Sequence, residues 1–294
     1  MIYHREGKFQ GVEGLELYYQ SWTPPGKIRA ILVLVHGLGG HSGLYNNIVE
    51  HLLPKQYTVY GLDMRGHGRS PGQRGYINSW AEFRDDLRIF LKFIQQQQPE
   101  CPIFLCGHSL GGLVVIDYTL RYPQDAAALQ GVITLSPSIG EVGVSQLKLL
   151  IGKILSRIYP RFSLDTGLDT TAGSRDESIS VTYTEDKLRH TRGTARLSTE
   201  FFTTLAWIHT HAQEWSRPLL ILHGSADRIA LPAGSEIFYQ QVTYPDKLRI
   251  EYPGGYHDLY CDINYQEVLT DLSNWLERHL PIEIAPLESV VSKE

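Results

Sequence analysis

Residues 107–111 read Gly107-His108-Ser109-Leu110-Gly111, directly after the apolar run Ile103-Phe104-Leu105-Cys106. The helix-compatible segment Gly112-Leu113-Val114-Val115-Ile116-Asp117-Tyr118 follows at once. A G-x-S-x-G pentapeptide at such a junction is what a nucleophile elbow requires. The strand must turn sharply into a helix, with the serine backbone strained and its hydroxyl projecting above the sheet. Glycine is demanded on both sides, because a Cβ there would run into neighbouring backbone. The pentapeptide alone recurs by chance, so its surroundings have to say what sheet the strand belongs to.

The surroundings describe a parallel sheet. Ala30-Ile31-Leu32-Val33-Leu34-Val35 is an unbroken aliphatic run, the pattern of a strand covered on both faces. Tyr57-Thr58-Val59-Tyr60-Gly61-Leu62, Val132-Ile133-Thr134-Leu135, Leu219-Leu220-Ile221-Leu222 and Leu248-Arg249-Ile250-Glu251-Tyr252 continue the series. Helical periodicity fills the intervals. Phe83, Leu87, Phe90, Leu91 and Ile94 share one face of residues 80–97, and Val268, Leu272, Trp275 and Leu276 one face of residues 265–280. Residues 15–22 alternate and predict an edge strand, entered through a turn at Gly11-Val12-Glu13-Gly14. Strands alternating with helices predict the α/β class: a mostly parallel, doubly wound sheet with right-handed crossovers. After Pro281 a short, frayed tail is expected.

One interval breaks the rhythm. From Ser136 to about Arg217 no core strand is recognisable, a stretch of about eighty residues and far longer than an ordinary crossover. It contains a helix-like segment, residues 144–159, stopped by Pro160. We expect an inserted helical cap over residues 137–217, on a core made of residues 1–136 and 218–294. Such a cap would lie over the carboxyl ends of the strands, where sheets of this kind bind ligands.

A serine hydroxyl becomes an effective nucleophile only when a base takes its proton and a carboxylate orients that base. Two residues stand in the required order after Ser109. Asp227 follows the strand at 219–222, in His223-Gly224-Ser225-Ala226-Asp227, and His257 follows the next strand, in Gly254-Gly255-Tyr256-His257. Alone, Asp227 reads equally well as a turn aspartate and His257 as a loop histidine. Three residues in order, each after a separate strand, read as a triad. Asp258 and Asp262 are rival acids, but sitting beside the histidine in sequence they would reach its ring awkwardly. The oxyanion formed on acyl attack needs two backbone N–H donors. Leu110 would supply one, and Leu38, in the loop His36-Gly37-Leu38-Gly39-Gly40-His41, the other.

Composition excludes several other functions. A net charge of −5 speaks against a general nucleic-acid binder. The three cysteines, Cys101, Cys106 and Cys261, cannot all pair and suit a reducing compartment. Residues 1–8 hold no signal-like apolar stretch, and no run is long enough to cross a bilayer, so a cytoplasmic location is expected. The histidines show neither H-x-x-x-H nor H-E-x-x-H spacing, and no phosphate-binding G-x-x-x-x-G-K-[ST] occurs. No metal and no cofactor is expected.

Taken together, His36-Gly37-Leu38-Gly39, Asp63-Met64-Arg65-Gly66-His67-Gly68-Arg69-Ser70, the elbow, Gly224-Ser225-Ala226-Asp227-Arg228 and Gly254-Gly255-Tyr256-His257 resemble the α/β-hydrolase superfamily. More narrowly, they resemble its monoacylglycerol lipase and lysophospholipase branch, over nearly the whole chain. The resemblance implies Ser109 as nucleophile, Asp227 as orienting acid, His257 as general base, and Leu38 and Leu110 as the oxyanion hole. It also implies a cap tyrosine, Tyr183, leaning toward the substrate headgroup. Two departures bear on the substrate. The branch usually has glutamate at the place of Gly40 and arginine at that of Leu44, and Lys187 stands where its cap usually has proline. A site lacking those partners should select less sharply for glycerol hydroxyls.

The reading is therefore a serine hydrolase cleaving a carboxylic ester with one medium or long acyl chain: a monoacylglycerol, a lysophospholipid or a simple fatty ester. Two alternatives are an acyltransferase using the same triad and a non-catalytic ligand-binding protein on the same scaffold. In the cap, Leu147, Leu150, Ile151, Ile154, Leu155 and Ile158 recur at helical spacing, among Lys148, Lys153, Arg157 and Arg161. Such a helix can roof the pocket, and it can also touch a membrane surface transiently.

Overall fold

A computed structural model describes residues 2–140, 146–167 and 169–281. The expected tail after Pro281, and Val144 and Ser145 at the start of the cap helix, lie outside the described residues. The strands are β1 (Tyr3–Gln10), β2 (Glu16–Thr23), β3 (Ala30–Val35), β4 (Tyr57–Leu62), β5 (Ile103–His108), β6 (Leu129–Leu135), β7 (Ser163–Asp165), β8 (Arg192–Thr194), β9 (Leu219–Gly224) and β10 (Lys247–Tyr252). The α-helices are α1 (Asn46–Leu52), α2 (Trp80–Gln97), α3 (Leu110–Arg121), α4 (Pro123–Ala126), α5 (Gln146–Ile158), α6 (Glu177–Glu185), α7 (Ala195–His211), α8 (Pro232–Gln241) and α9 (Tyr265–Arg278).

The aliphatic runs assemble into one eight-stranded sheet, in the order β1-β2-β4-β3-β5-β6-β9-β10. From β4 to β10 every pairing is parallel, and β1 and β2 are antiparallel additions at one side. Both faces of β3, β4, β5, β6 and β9 are covered, which is why these strands lack polar alternation; β10, at the edge, is partly exposed and alternates. On β3, Ile31, Val33 and Val35 join the cluster holding Phe83, Leu87 and Phe90, whereas Leu32 and Leu34 join the one holding Ile48, Leu272 and Trp275. Each side chain so buried contributes about 1.5–3 kcal/mol relative to exposure.

The expected edge strand is corrected. β2 is second in the sheet, because β1 pairs along its whole length, from Tyr3↔Thr23 to Gln10↔Glu16. β1 is almost entirely exposed and carries Arg5, Glu6 and Lys8. Hydrophobic alternation therefore cannot reveal it, and its charges suit an edge.

Between β6 and β9 run α5, β7, α6, β8 and α7, with β7 and β8 forming a separate antiparallel pair. Backbone bonds tie this segment to loops at the carboxyl ends of the main strands. His190 N donates to Gly39 O at 3.1 Å, Thr194 N to Gly75 O at 3.1 Å, and Asp258 N to Gly173 O at 2.7 Å. His41 Nε2 and Asp186 Oδ2 add a side-chain hydrogen bond at 2.7 Å.

Candidate active site

Ser109 is the first residue past β5 and the N-cap of α3, with φ 54° and ψ −118°. A non-glycine backbone in that region costs on the order of 1–3 kcal/mol and persists only where its surroundings enforce it. Here Ser109 N donates to Leu135 O at 3.0 Å, and Ser109 O accepts from Gly112 N at 2.9 Å and Ser138 N at 3.0 Å. The flanking glycines are sterically required. A Cβ on Gly107 would lie 2.3 Å from Gly111 O, and one on Gly111 would lie 2.2 Å from Val35 O.

Asp227 and His257 leave the sheet on adjacent strands. His257 Nδ1 lies 2.7 Å from Asp227 Oδ2, both side chains essentially buried. The other Asp227 oxygen accepts from Ile229 N at 2.8 Å and Ala230 N at 2.9 Å. His223 Nε2 lies 3.2 Å from Oδ2 and 2.8 Å from Ala230 O, so it braces the acid from behind. Burial opposes ionisation of Asp227, but the His257 charge and these donors outweigh it and hold the carboxyl far below its usual range. Burial likewise opposes protonation of His257, and Asp227 overcomes it, so the imidazole is more basic than usual.

The rival acids are engaged elsewhere. Asp262 accepts from Arg175 and from Tyr256 N at 2.9 Å. Asp258 Oδ1 lies 3.2 Å from His108 Nε2, and the His108 ring packs 4.9 Å from that of His257. Burial holds His108 below its ordinary value, while its pairing with Asp258 overcomes burial and holds that carboxyl low.

Ser109, His257 and Leu38 line one cavity of about 70 Å³, together with His108, Tyr45, Asp258 and Tyr260 from the core loops. Leu110 opens α3, so its N–H lies at a helix N-terminus, where developing negative charge is favoured. Ser109 Oγ hydrogen-bonds Ser138 Oγ at 3.1 Å. Ser138 follows β6, which lies between the strands of the serine and the acid.

Tyr183 sits differently from what the resemblance implied. Its side chain is buried, with the hydroxyl 2.9 Å from Tyr260 Oη and 3.2 Å from Cys261 Sγ. Tyr260 and Arg189 line the cavity; Tyr183 lies behind them, its ring 3.7 Å from the Arg189 guanidinium carbon. Ser138, His223 and Arg189 were missed in the sequence. Only Ser138 left a trace, by following a core strand in Ser136-Pro137-Ser138.

The segment 63–70 braces the floor. Asp63 accepts from Ser42 N and Oγ and from Arg69 N, and Arg65 pairs with Asp86 and Glu82 in a buried cluster.

Comparison with known proteins places this arrangement. The family model described as serine aminopeptidase, S33, matches residues 26–264. A monoacylglycerol lipase of Mycolicibacterium smegmatis is 31% identical over 277 residues, covering 94% of this chain and 98% of its own. The monoglyceride lipase of Rattus norvegicus is 28% identical, covering 92% and 89% respectively. The crystal structure of the Paleococcus ferrophilus monoacylglycerol lipase superposes with a TM-score of 0.81 at 35% identity, over 90% of this chain and all of that one. Fold, site and relatives define an α/β hydrolase, an enzyme that cleaves carboxylic esters. The chain belongs to the serine aminopeptidase S33 family, in its monoacylglycerol lipase branch.

Proposed function

We propose that Ser109 attacks the acyl carbon, His257 takes the serine proton, and Asp227 orients His257 and stabilises its charged form. The N–H groups of Leu38 and Leu110 hold the oxyanion. Collapse of the tetrahedral intermediate expels the alcohol, protonated by His257. Water activated by the same histidine then releases the acid. The observation that carries this reading is the buried 2.7 Å His257–Asp227 pair opening on the cavity that holds the strained Ser109.

The substrate is an ester of one medium or long acyl chain: a monoacylglycerol, lysophospholipid or simple fatty ester. An aminopeptidase needs a carboxylate free to bind the substrate ammonium. In this cavity the buried carboxylate, Asp258, faces His108. That pairing favours an ester over a peptide. Residues 137–217 act as the cap and 1–136 with 218–294 as the catalytic core. Four aliphatics of α5, Leu150, Ile151, Ile154 and Ile158, are exposed on one side of the helix. They support transient contact between the cap and a lipid surface. Among the described residues no helix is long and apolar enough to cross a membrane.

The test is Ser109→Ala. Hydrolysis of p-nitrophenyl esters should fall by about 10⁴-fold or more, and labelling by a fluorophosphonate probe should vanish. Substantial remaining turnover by folded variant protein would sink the assignment.

A further inference from the structure

Arg189 is a cation on the wall of the active-site cavity with no carboxylate in contact, although the charges of Asp186 and Asp258 reach it. It shares that cavity with Ser109 and His257, and among the described residues it forms no salt bridge. It arises in the turn after α6, in Lys187-Leu188-Arg189-His190-Thr191-Arg192. Its place is fixed from below: the guanidinium carbon stacks 3.7 Å from the Tyr183 ring centroid, and the Tyr183 hydroxyl is anchored on Tyr260 and Cys261. Stacking occupies the face of a guanidinium and leaves its N–H edge available.

The carboxylates of the cavity do not take that edge. Asp258 lies against His108, and Asp169 accepts from its own loop. On the opposite wall, Gly40 and Leu44 line the cavity without a polar side chain. The strongest side-chain donor free to meet a polar substrate end therefore comes from the cap. We propose that Arg189 forms an anion subsite, and that the preferred ester carries a phosphate on its alcohol portion. The planar fork of N–H groups matches phosphate oxygens in a two-point contact that a neutral glycerol cannot reproduce. The proposal rests on the ester-hydrolase reading above and deepens it by naming the headgroup.

The experiment compares three esters of one acyl chain below their aggregation limits: a 1-acylglycerol, the corresponding 1-acylglycerol 3-phosphate, and the methyl ester. The readout is the ratio of kcat/KM for the phosphate ester over the neutral glycerol ester, taken within each protein so that general losses cancel. The wild-type ratio should exceed one. Arg189→Gln should lower it about tenfold or more, as expected for a charged hydrogen-bonding pair, and Arg189→Lys should fall between. Glycerol 3-phosphate should compete with substrate where glycerol does not.

An unchanged ratio in Arg189→Gln overturns the proposal. So does an equal loss on all three esters, which would mean that Arg189 serves only to offset the buried charge of Asp258. Equal competition by inorganic phosphate would identify a free-phosphate site and also overturn the headgroup assignment. Failure of the underlying reading looks different: wild-type protein would cleave none of the esters and take no fluorophosphonate label.

Discussion

The two walls of the cavity are held in place by different means. On the core wall the reacting groups sit just past the ends of parallel strands, Ser109 after β5 and His257 after β10, with Asp227, after β9, behind the histidine. All three are almost entirely excluded from solvent, and Ser109 and Asp227 are also held by their own backbone hydrogen bonds. The cap wall, Asp169, Gly173 and Arg189 to Thr191, hangs on a few bonds to the core, chiefly His190 N to Gly39 O and His41 to Asp186. Bond-making needs atoms held within fractions of an ångström, which strand ends supply. Discrimination between headgroups needs only a suitable charge within reach, and a cap can change that without disturbing the sheet. Changes to the core wall should therefore cost rate on every ester, whereas changes to the cap should cost rate selectively.

The largest expected effect breaks the core wall. Asp227→Asn leaves the shape of the site but removes the charge that orients His257 and stabilises its protonated form. On the triad precedent, kcat should fall by about 10⁴-fold. The fall should be the same for phosphate-bearing, glycerol and methyl esters. A loss that depended strongly on the headgroup would merge the two walls into one.

A smaller effect, on the order of tenfold per pH unit, separates the walls by titration. Protonated His257 cannot accept the Ser109 proton, so activity is present above its pKa and lost as pH falls through it. Asp227 raises that pKa, so the acid limb of kcat/KM should lie above the ordinary histidine value of about 6.5. His190 on the cap is pushed down to about 4 by burial and stays neutral over this range. The limb should therefore have the same position for every ester. Its measurement with a neutral and an anionic substrate, the latter corrected for its own titration, checks this.

What the sequence made legible follows the same division. Strands covered on both faces announce themselves as aliphatic runs, so β3, β4, β5 and β9 could be located, and β10 by its alternation; the proposed serine, acid and histidine are read from the residues just past β5, β9 and β10. The exposed β1 could not be located, because nothing on it alternates. The cap helix α5 was visible through its periodicity, but the position of Tyr183 was not. Its hydroxyl is directed by Tyr260 and Cys261, seventy-seven and seventy-eight residues away. Arg189 was silent for the same reason: an arginine in a turn is ordinary until Tyr183 proves to lie beneath it and the cavity beside it. Ser138 shows the intermediate case, a residue placed by a core strand but given its partner by the elbow next door.

The smallest expected effect concerns the outer face of the cap. Leu150, Ile151, Ile154 and Ile158 are 55%, 48%, 49% and 78% exposed, on a helix that also carries exposed Lys153 and Arg157. Burying the free part of Ile158 in a lipid surface would contribute about 1 kcal/mol, equivalent to about fivefold in partition. Ile158→Ser removes that contribution and leaves helix propensity nearly unchanged. Turnover of a monoacyl ester carried in anionic vesicles should fall about fivefold, while turnover of a short p-nitrophenyl ester in solution stays within error. Equal loss on both would mean that α5 supports the site through its packing on α7, and the cap would then belong with the core wall in function as well as in contact.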